Sequence, residues 1–261
     1  MSANGYVEEF RQVGGARSQL LRGGQGAPLV FLHGAAGAGM WLPFLEGLAH
    51  RFTVYAPSHP GFGRSEDPEW LDAIDDLVHF YLDFLDELGS PKVHLVGLSL
   101  GGWIAAELAT VCSHRIGRLI LVDAAGIRVD GVTVPDLFLM PPDEAARTIF
   151  ANPATAAAIY PPNPTTEQLE IILRQRTTMA RLAWNPYLHN PKLLRRLHRI
   201  RVPTLVVWGQ EDRLFPLAHA RAFQEAIPGA RLAVLPGCGH VPPLDRPEEF
   251  VRAVTAFLEE A

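Results

Sequence analysis

The sequence predicts an α/β fold, in which a mostly parallel, doubly wound sheet carries a helical insertion between two of its strands. Short apolar runs alternate along the chain with segments of helical periodicity, a pattern typical of parallel strands covered by helices on both faces. The alternation stops between residues 128 and 202, which are rich in proline and contain no clear buried strand. With 261 residues, 48% of them hydrophobic, the chain can form one large core domain with such an insertion.

The strands are predicted in order from the N-terminus. Residues 7–22 alternate weakly around Gly14-Gly15, which predicts a hairpin of outer strands. The later apolar runs are predicted to be strands buried in the sheet. They are 28–32, 52–56, 93–97, 119–122, 204–208 and 231–235.

Helices are predicted between these strands. Residues 71–88 place an apolar stripe opposite a face of aspartates, as in a helix with one buried side. Other helices are predicted at 100–111, 217–227 and 247–258, and, within the insertion, at 143–150 and 167–184, followed by a basic piece at 191–199. We therefore expect a core domain made of residues 1–127 and 203–261, with residues 128–202 inserted into it.

The charge and cysteine content argue against several classes of protein. The chain has 23 Lys and Arg against 28 Asp and Glu, a formal net charge of −5, and no basic stripe, so nucleic acid is not an expected partner. The N-terminus has no basic segment followed by an apolar one, and no run of 18 apolar residues occurs, so neither a signal peptide nor a membrane span is expected. Two cysteines, Cys112 and Cys238, do not make a disulfide framework, and a cytoplasmic location is expected.

The segment Gly97-Leu98-Ser99-Leu100-Gly101 lies where a predicted strand meets a predicted helix. A Gly-x-Ser-x-Gly segment in that context is typical of a nucleophile elbow, in which the serine occupies a sharp, strained turn. The glycines let the neighbouring backbone approach, and the serine oxygen is exposed at the carboxyl edge of the sheet. We predict that Ser99 is a nucleophile.

A serine hydroxyl needs a base and an acid that orients the base. His240 follows the last predicted strand, in Gly237-Cys238-Gly239-His240, and is the predicted base. Asp212 follows the strand at 204–208, from which a carboxylate can reach the histidine loop, and we predict it as the acid. Asp123, directly after the strand at 119–122, is the alternative acid.

Backbone N–H groups are the expected stabilisers of a developing oxyanion. One is that of Leu100, the residue after the predicted nucleophile. The other is expected from the loop at 33–39, and we select Ala35. No lysine follows this glycine-rich loop, so it is not a phosphate-binding P-loop.

Other polar groups give weaker predictions. His33, His59 and His94 belong to different predicted elements, so no metal site is predicted, and no cofactor is expected. Arg174, Arg176 and Arg181 of the insertion are candidates for binding a substrate carboxylate, or else form a solvated helix face. Cys238 is a candidate reactive thiol or a small residue that fills its loop.

The sequence resembles the α/β-hydrolase superfamily through segments that lie in the family's order along the chain. These are His33-Gly34, the turn at 60–65, the elbow around Ser99, residues 209–212 and Gly239-His240. The resemblance implies an α/β-hydrolase fold in which the insertion at 128–202 is a helical cap over the active site. Within the superfamily the chain looks most like the branch of bacterial carboxylesterases and meta-cleavage-product hydrolases.

The resemblance implies a cofactor-free serine hydrolase acting on a small-molecule ester. Carbon–carbon hydrolases of that branch usually have asparagine before the nucleophile and tryptophan after the histidine, whereas this chain has Leu98 and Val241. An esterase is therefore the leading prediction, and a hydrolase of dienoic ring-fission products is the alternative. A ligand-binding receptor that retains the three side chains is a hypothesis of another class. The sequence does not predict an oligomeric state.

Overall fold

The computed structural model describes residues 5–36, 38–159 and 163–260, apart from the side chain of Ala158. Within these residues eight strands form one sheet, in the order β1-β2-β4-β3-β5-β6-β7-β8. Strand β2 pairs antiparallel with β1 and β4, and all other neighbours pair in parallel. The strands are β1 Tyr6–Val13, β2 Ala16–Gly23, β3 Ala27–Leu32, β4 Phe52–Pro57, β5 Val93–Leu98, β6 Ile116–Val122, β7 Thr204–Gly209 and β8 Arg231–Leu235.

Helices follow or connect most of the strands. Those of the core are α1 Pro43–Ala49, α2 Ile74–Leu88, α3 Leu100–Cys112, α7 Leu217–Ala226, α8 Pro242–Asp245 and α9 Pro247–Leu258. Between β6 and β7 lie α4 Pro142–Ile149, α5 Pro153–Ile159 and α6 Thr166–Ala183. Among the helices in the described ranges, none has the length and apolar character needed to cross a bilayer.

The central strands of the sheet are buried on both faces. Since successive strand side chains point in opposite directions, each strand contributes to two clusters. In β3, Val30 and Leu32 belong to one buried cluster and Leu29 and Phe31 to the other. The first cluster packs under α2, α3, α6 and α7, and the second under α1 and α9. This arrangement explains why the strands read as continuous apolar runs.

The predicted fold class is confirmed, and each predicted buried strand is present to within a few residues. Helix α2 begins at Ile74 rather than at residue 71, because the Asp76 carboxylate accepts hydrogen bonds from the amides of Asp72 and Ala73 and ends the preceding turn there. Helices α1, α5 and α8 were not predicted. They have seven residues or fewer, too few for a helical period to show.

The parallel strands end at one edge of the sheet, which brings distant parts of the chain together. Gly34 and Ala35 follow β3, Ser99 follows β5, and Asp123 follows β6. The loops after β7 and β8 carry Asp212 and His240 to the same edge. The topology therefore collects there the side chains and amides that the motifs singled out.

Candidate active site

Ser99 lies in a sharp turn between β5 and α3. Its φ of 53° and ψ of −111° are unusual for a residue other than glycine. The turn is held by hydrogen bonds from the Ser99 amide to the Val122 carbonyl, 2.9 Å, and from the Trp103 amide to the Ser99 carbonyl, 3.0 Å. A Cβ at Gly101 would lie 2.1 Å from the Leu32 carbonyl oxygen, so only glycine fits there. This local packing turns the Ser99 side chain away from the sheet.

His240 connects Ser99 to Asp212. Its Nε2 lies 2.8 Å from Ser99 Oγ, and its Nδ1 lies 2.9 Å from Asp212 Oδ2. A carboxylate can only accept, so the Nδ1 proton is donated to Asp212, and Nε2 is free to accept the serine proton. The structure thus brings these three predicted side chains together in one hydrogen-bonded series.

Asp212 is held by the backbone of its own loop. Its Oδ1 accepts hydrogen bonds from the amides of Leu214, 2.8 Å, and Phe215, 2.9 Å. The Phe215 ring meets the His240 ring edge to face, with centroids 5.4 Å apart. A buried carboxylate with three donors is well satisfied as an anion, and these contacts fix both the acid and the imidazole.

Asp123, the alternative acid, lies beside this series without a hydrogen bond to His240. Its Oδ1 accepts from the Gly209 amide, 2.9 Å, while its buried Oδ2 has no partner among the described residues. Burial, and after it the charge of Asp212, raises the pKa of Asp123 well above the usual range for a carboxyl group. Asp212, rather than Asp123, is therefore the hydrogen-bond partner of His240.

The two amides predicted to stabilise an oxyanion belong to segments next to Ser99. Leu100 is the first residue of α3, so its N–H has no acceptor within the helix. Ala35 follows Gly34, at which a Cβ would lie 3.4 Å from the Ser99 Cβ. Neither amide donates a hydrogen bond to another described residue. Both are thus available to a ligand next to Ser99.

A pair of histidines that was not predicted as a unit supports the loop that carries Ala35. The His59 amide donates to His33 Nε2, 3.0 Å, so the His33 proton is on Nδ1 and is donated to the Gly34 carbonyl, 2.6 Å. His59 Nε2 in turn donates to the His33 carbonyl, 2.9 Å, and its Nδ1 accepts from the Tyr81 hydroxyl. The two rings are in contact, with centroids 3.7 Å apart and planes tilted by 32°. Parallel pairing of β3 and β4 brings them together although they are 26 residues apart.

The His33 and His59 rings are neutral. Desolvation by burial lowers the pKa of His33 to about 4. Burial also lowers the pKa of His59 well below its usual value, and the nearby His33 adds to this effect. Since each ring nitrogen already has a fixed partner, the pair serves to hold the 33–35 loop rather than to bind a metal.

The segment between α4 and α5 contacts the histidine loop directly. The His240 amide donates to the Ile149 carbonyl, 2.7 Å. The buried Asp245 carboxylate accepts from the amides of Gly239, 2.8 Å, and Ala151, 3.1 Å. The backbone of the insertion is therefore bonded to the loop that presents His240.

Helix α6 is bonded to the turn after β4. The Thr178 hydroxyl donates to the Gly61 carbonyl, 3.1 Å, and Arg174 donates to the carbonyls of Gly63, 3.1 Å, and Ser65. Arg181 pairs with Asp67. The arginines considered above as ligands for a substrate carboxylate are thus engaged with the protein, as is Arg176, which donates to the Phe138 carbonyl.

Cys238 does not have the character of a reactive thiol. Its side chain is fully buried, and burial raises its pKa to about 12. A thiol of that pKa has almost no nucleophilic thiolate at neutral pH. Cys238 therefore fills its loop, the second of the two roles considered from the sequence.

One group in the described part of the chain has the spacing of a metal site. Ligand atoms of Asp123, Asp212 and His240 lie within 4.8 Å of one another. However, both Asp212 oxygens and His240 Nδ1 are used in the hydrogen bonds described above. A cation could bind His240 Nδ1 only by displacing the proton that this nitrogen donates to Asp212. The donor set therefore fits a hydrogen-bonded acid and base better than a metal centre.

Comparison with known proteins relates the chain to hydrolases. Residues 29–253 match the sequence model of the Alpha/beta hydrolase family. The chain is 27% identical to the 2-hydroxy-6-oxo-6-(2'-aminophenyl)hexa-2,4-dienoic acid hydrolase of Metapseudomonas resinovorans, over 98% of this chain and 92% of that protein.

Among solved structures, a bacterial membrane phospholipase A superposes with a TM-score of 0.82 at 26% identity, covering 98% of this chain and 86% of that one. The enol-lactonase of Burkholderia xenovorans LB400 superposes with a TM-score of 0.80 at 25% identity, covering 97% of this chain and all of that one.

Proposed function

The chain belongs to the alpha/beta hydrolase family, and from this premise we propose that it cleaves small or medium carboxylic esters through an acyl-enzyme on Ser99. The observation that carries the proposal is the continuous hydrogen-bonded series from Ser99 Oγ through His240 to Asp212, with distances of 2.8 and 2.9 Å. These distances suit direct proton transfer. In this proposal Ser99 is the nucleophile, His240 the base and Asp212 the acid that orients it.

In the first half of the reaction Ser99 Oγ attacks the ester carbonyl while His240 Nε2 takes the hydroxyl proton. The Asp212 carboxylate keeps the imidazole in the tautomer that can accept this proton and stabilises the imidazolium that forms. The imidazolium then protonates the leaving alcohol. The C–O bond to the alcohol breaks, and the acyl group stays on Ser99.

The negative charge that develops on the carbonyl oxygen needs donors that are already in place. We assign this role to the amides of Leu100 and Ala35, which donate to no other described residue. The His33–His59 pair fixes the loop before Ala35, and α3 fixes Leu100. Both donors therefore need little reorganisation as the charge forms.

In the second half a water molecule attacks the acyl carbon while His240 takes one of its protons. Collapse of the tetrahedral intermediate breaks the bond to Ser99 Oγ, and His240 returns the proton to the serine. The acid leaves and the resting enzyme is restored. No redox step or further co-reactant is needed.

The surroundings of Ser99 favour an uncharged substrate. The side chains next to the reacting groups in sequence or space are apolar and buried; they are Leu98, Val241 and Phe215. The arginines of α6 are bonded to other parts of the protein. The enol-lactonase found above acts, by its name, on a lactone, which is a cyclic ester. We propose that residues 128–202 form a cap that sets which acyl chains can enter.

A second candidate is hydrolysis of a carbon–carbon bond in a dienoic ring-fission product. It is favoured by the similarity to the Metapseudomonas enzyme, which by its name is a hydrolase of a dienoic acid. Leu98 and Val241 stand where such enzymes usually carry asparagine and tryptophan, and neither can hydrogen-bond a substrate through its side chain. The ester reaction therefore remains our first proposal.

A panel of p-nitrophenyl esters of increasing acyl length, run beside a phenyl-substituted dienoate, separates these candidates. We expect repeated turnover of at least one ester by the wild type and none by Ser99→Ala. Turnover of the dienoate alone would favour the carbon–carbon reaction. A burst of one product per chain followed by almost no turnover would favour a receptor with a residual triad.

A further inference from the structure

Asp123 is a buried carboxyl group that the proposed ester hydrolysis does not use. It directly follows β6, the strand between β5 and β7 in the sheet, and so lies between the turns that carry Ser99 and Asp212. Its backbone has a φ of 40°, rare for a residue other than glycine. The Asp123 amide donates to the Val207 carbonyl, 3.0 Å. The fold thus holds this carboxyl group in one place at the centre of the site.

The two neighbouring carboxyl groups have different sets of donors. Asp212 accepts three hydrogen bonds, from two amides and from His240. Asp123 accepts one, from the Gly209 amide to Oδ1. The other oxygen of Asp123, Oδ2, is buried and accepts from no donor among the described residues. The Asp212 side chain lies at hydrogen-bonding range of the Asp123 carboxyl group, a contact that raises the pKa of Asp123. A buried anionic oxygen without a donor is costly, whereas a hydroxyl at that position can donate.

The two carboxyl groups are also close to each other. Ligand atoms of Asp123, Asp212 and His240 all lie within 4.8 Å of one another. Two carboxylates in one dry site repel strongly, and the one with fewer donors keeps a proton. Asp245 adds a further negative charge near Asp123, and burial is the largest cause of the raised pKa of Asp123.

We propose that Asp123 is a positioning residue that carries a proton on Oδ2 and directs it to the Asp212 carboxylate, holding that carboxylate toward His240. The proposal rests on the proposed function, because Asp212 matters here as the acid that orients His240. The site then holds one negative charge shared by two carboxyl groups. The donated proton also limits how strongly Asp212 draws the Nδ1 proton of the histidine.

Infrared difference spectroscopy at neutral pH tests the protonation directly, without any substrate. A protonated carboxylic acid has a C=O stretch well separated from the carboxylate bands, and the stretch shifts in D₂O. We expect such a band in the wild type and its loss in Asp123→Asn. A wild-type spectrum that does not differ from that of the variant in this region would overturn the proposal.

Two substitutions test the positioning role. In Asp123→Asn the amide oxygen can accept from Gly209 and the amide nitrogen can donate toward Asp212. We therefore expect kcat/KM, and the acidic limb of its pH profile, to remain close to those of the wild type. Asp123→Leu keeps the volume but removes the donor, and we expect kcat to fall about 10- to 100-fold, the cost of a hydrogen bond to a charged group. The acidic limb of kcat/KM should also move to higher pH, since Asp212 then stabilises imidazolium more strongly.

If Asp123 were ionised, Asp123→Asn would remove a negative charge beside His240 and move the acidic limb to lower pH. That result would contradict the proposal even if Asp123→Leu failed to fold. Failure of the ester proposal is recognised separately, because a wild type that hydrolyses no ester would still show, or lack, the infrared band.

Discussion

At the scale of single residues, Asp212 and Asp123 have the same side chain but different predicted roles. In Asp212→Asn, Oδ1 can still accept from Leu214 and Phe215, which places the amide nitrogen against His240 Nδ1. The histidine proton must then move to Nε2, the nitrogen that faces Ser99. A protonated Nε2 cannot accept the serine proton. We expect kcat to fall by about 10⁴-fold, measured by steady-state ester hydrolysis.

Asp123→Asn is the matched control for this substitution, since it makes the same chemical change in the neighbouring carboxyl group. If Asp123→Asn were crippled while Asp212→Asn stayed active, the assignment of the acid would be wrong. Thermal denaturation of both variants shows whether a loss of rate reflects the site or a loss of folded protein.

The buried histidines make a prediction about stability. His33 has a usual pKa of 6.5, lowered to about 4 in the folded chain, and the pKa of His59 is lowered as well. Between these pH values the unfolded chain binds more protons than the folded one. The contribution of these neutral histidines to the free energy of unfolding is therefore fully present above pH 6.5. It is lost as pH falls toward 4, by about 1.4 kcal/mol per pH unit for each histidine that titrates.

Denaturant unfolding between pH 7 and pH 4 measures this slope. We expect His33→Asn to be less stable than the wild type at pH 7 and to lose less stability on acidification. The exposed His50 offers a control, since His50→Asn should keep the wild-type slope. Equal slopes for the wild type and His33→Asn would show that the His33–His59 pair does not titrate as described.

At the scale of elements, the end of α4 and the histidine loop are bonded to each other. The His240 amide donates to the Ile149 carbonyl, and Asp245 accepts from the amide of Gly239 on one side of this contact and from those of Ala151 and Asn152 on the other. A Cβ at Gly239 would lie 2.6 Å from the Ile149 carbonyl oxygen, so the two backbones pack without space between them. We infer that this part of the insertion does not move independently of His240.

Asp245→Ala should therefore loosen the histidine loop without touching the reacting groups. The amides of Gly239, Ala151 and Asn152 lose their acceptor. The loss costs about 1–3 kcal/mol for the buried amide of Gly239. We expect a lower kcat, a smaller change in KM and slower phosphonylation of Ser99. The exposed Glu248 of α9 provides a control, because Glu248→Ala leaves these contacts intact. Wild-type kinetics in Asp245→Ala would show that the contact does not position His240.

At the scale of the whole molecule, most of the core could be predicted from the sequence because its signals are local. Strands buried on both faces produce continuous apolar runs, such as 119–122, and the elbow around Ser99 is a five-residue pattern. The order of Ser99, Asp212 and His240 along the chain, each after a strand, predicted that they meet, with Asp123 as the alternative acid.

The remaining features depend on contacts between distant segments. The rings of His33 and His59 come into contact because β3 and β4 pair in parallel. Asp245 joins the histidine loop to the insertion, because it accepts from Gly239 and also from Ala151 and Asn152, which are 94 and 93 residues away along the chain. The protonation of Asp123 depends on where Asp212 lies in three dimensions. No pattern of spacing along the chain carries these relations.

Both halves of the candidate site are bonded to the insertion. Helix α6 binds the turn after β4, which supports the loop with Ala35, and the end of α4 binds the loop with His240. The loop with Ala35 and the loop with His240 are thus both supported by contacts with the segment between β6 and β7. The boundaries of the insertion at residues 128 and 202 remain a prediction.

Labelling with a fluorophosphonate, followed by mass mapping of the modified peptide, tests the central claim most directly. The reagent reacts with a serine that is activated by its neighbours and leaves ordinary serines unmodified. We predict one label on the wild type, on Ser99, and none on Ser99→Ala. A folded wild type that takes no label, or a label that persists in Ser99→Ala, would contradict the assignment of Ser99 as the nucleophile.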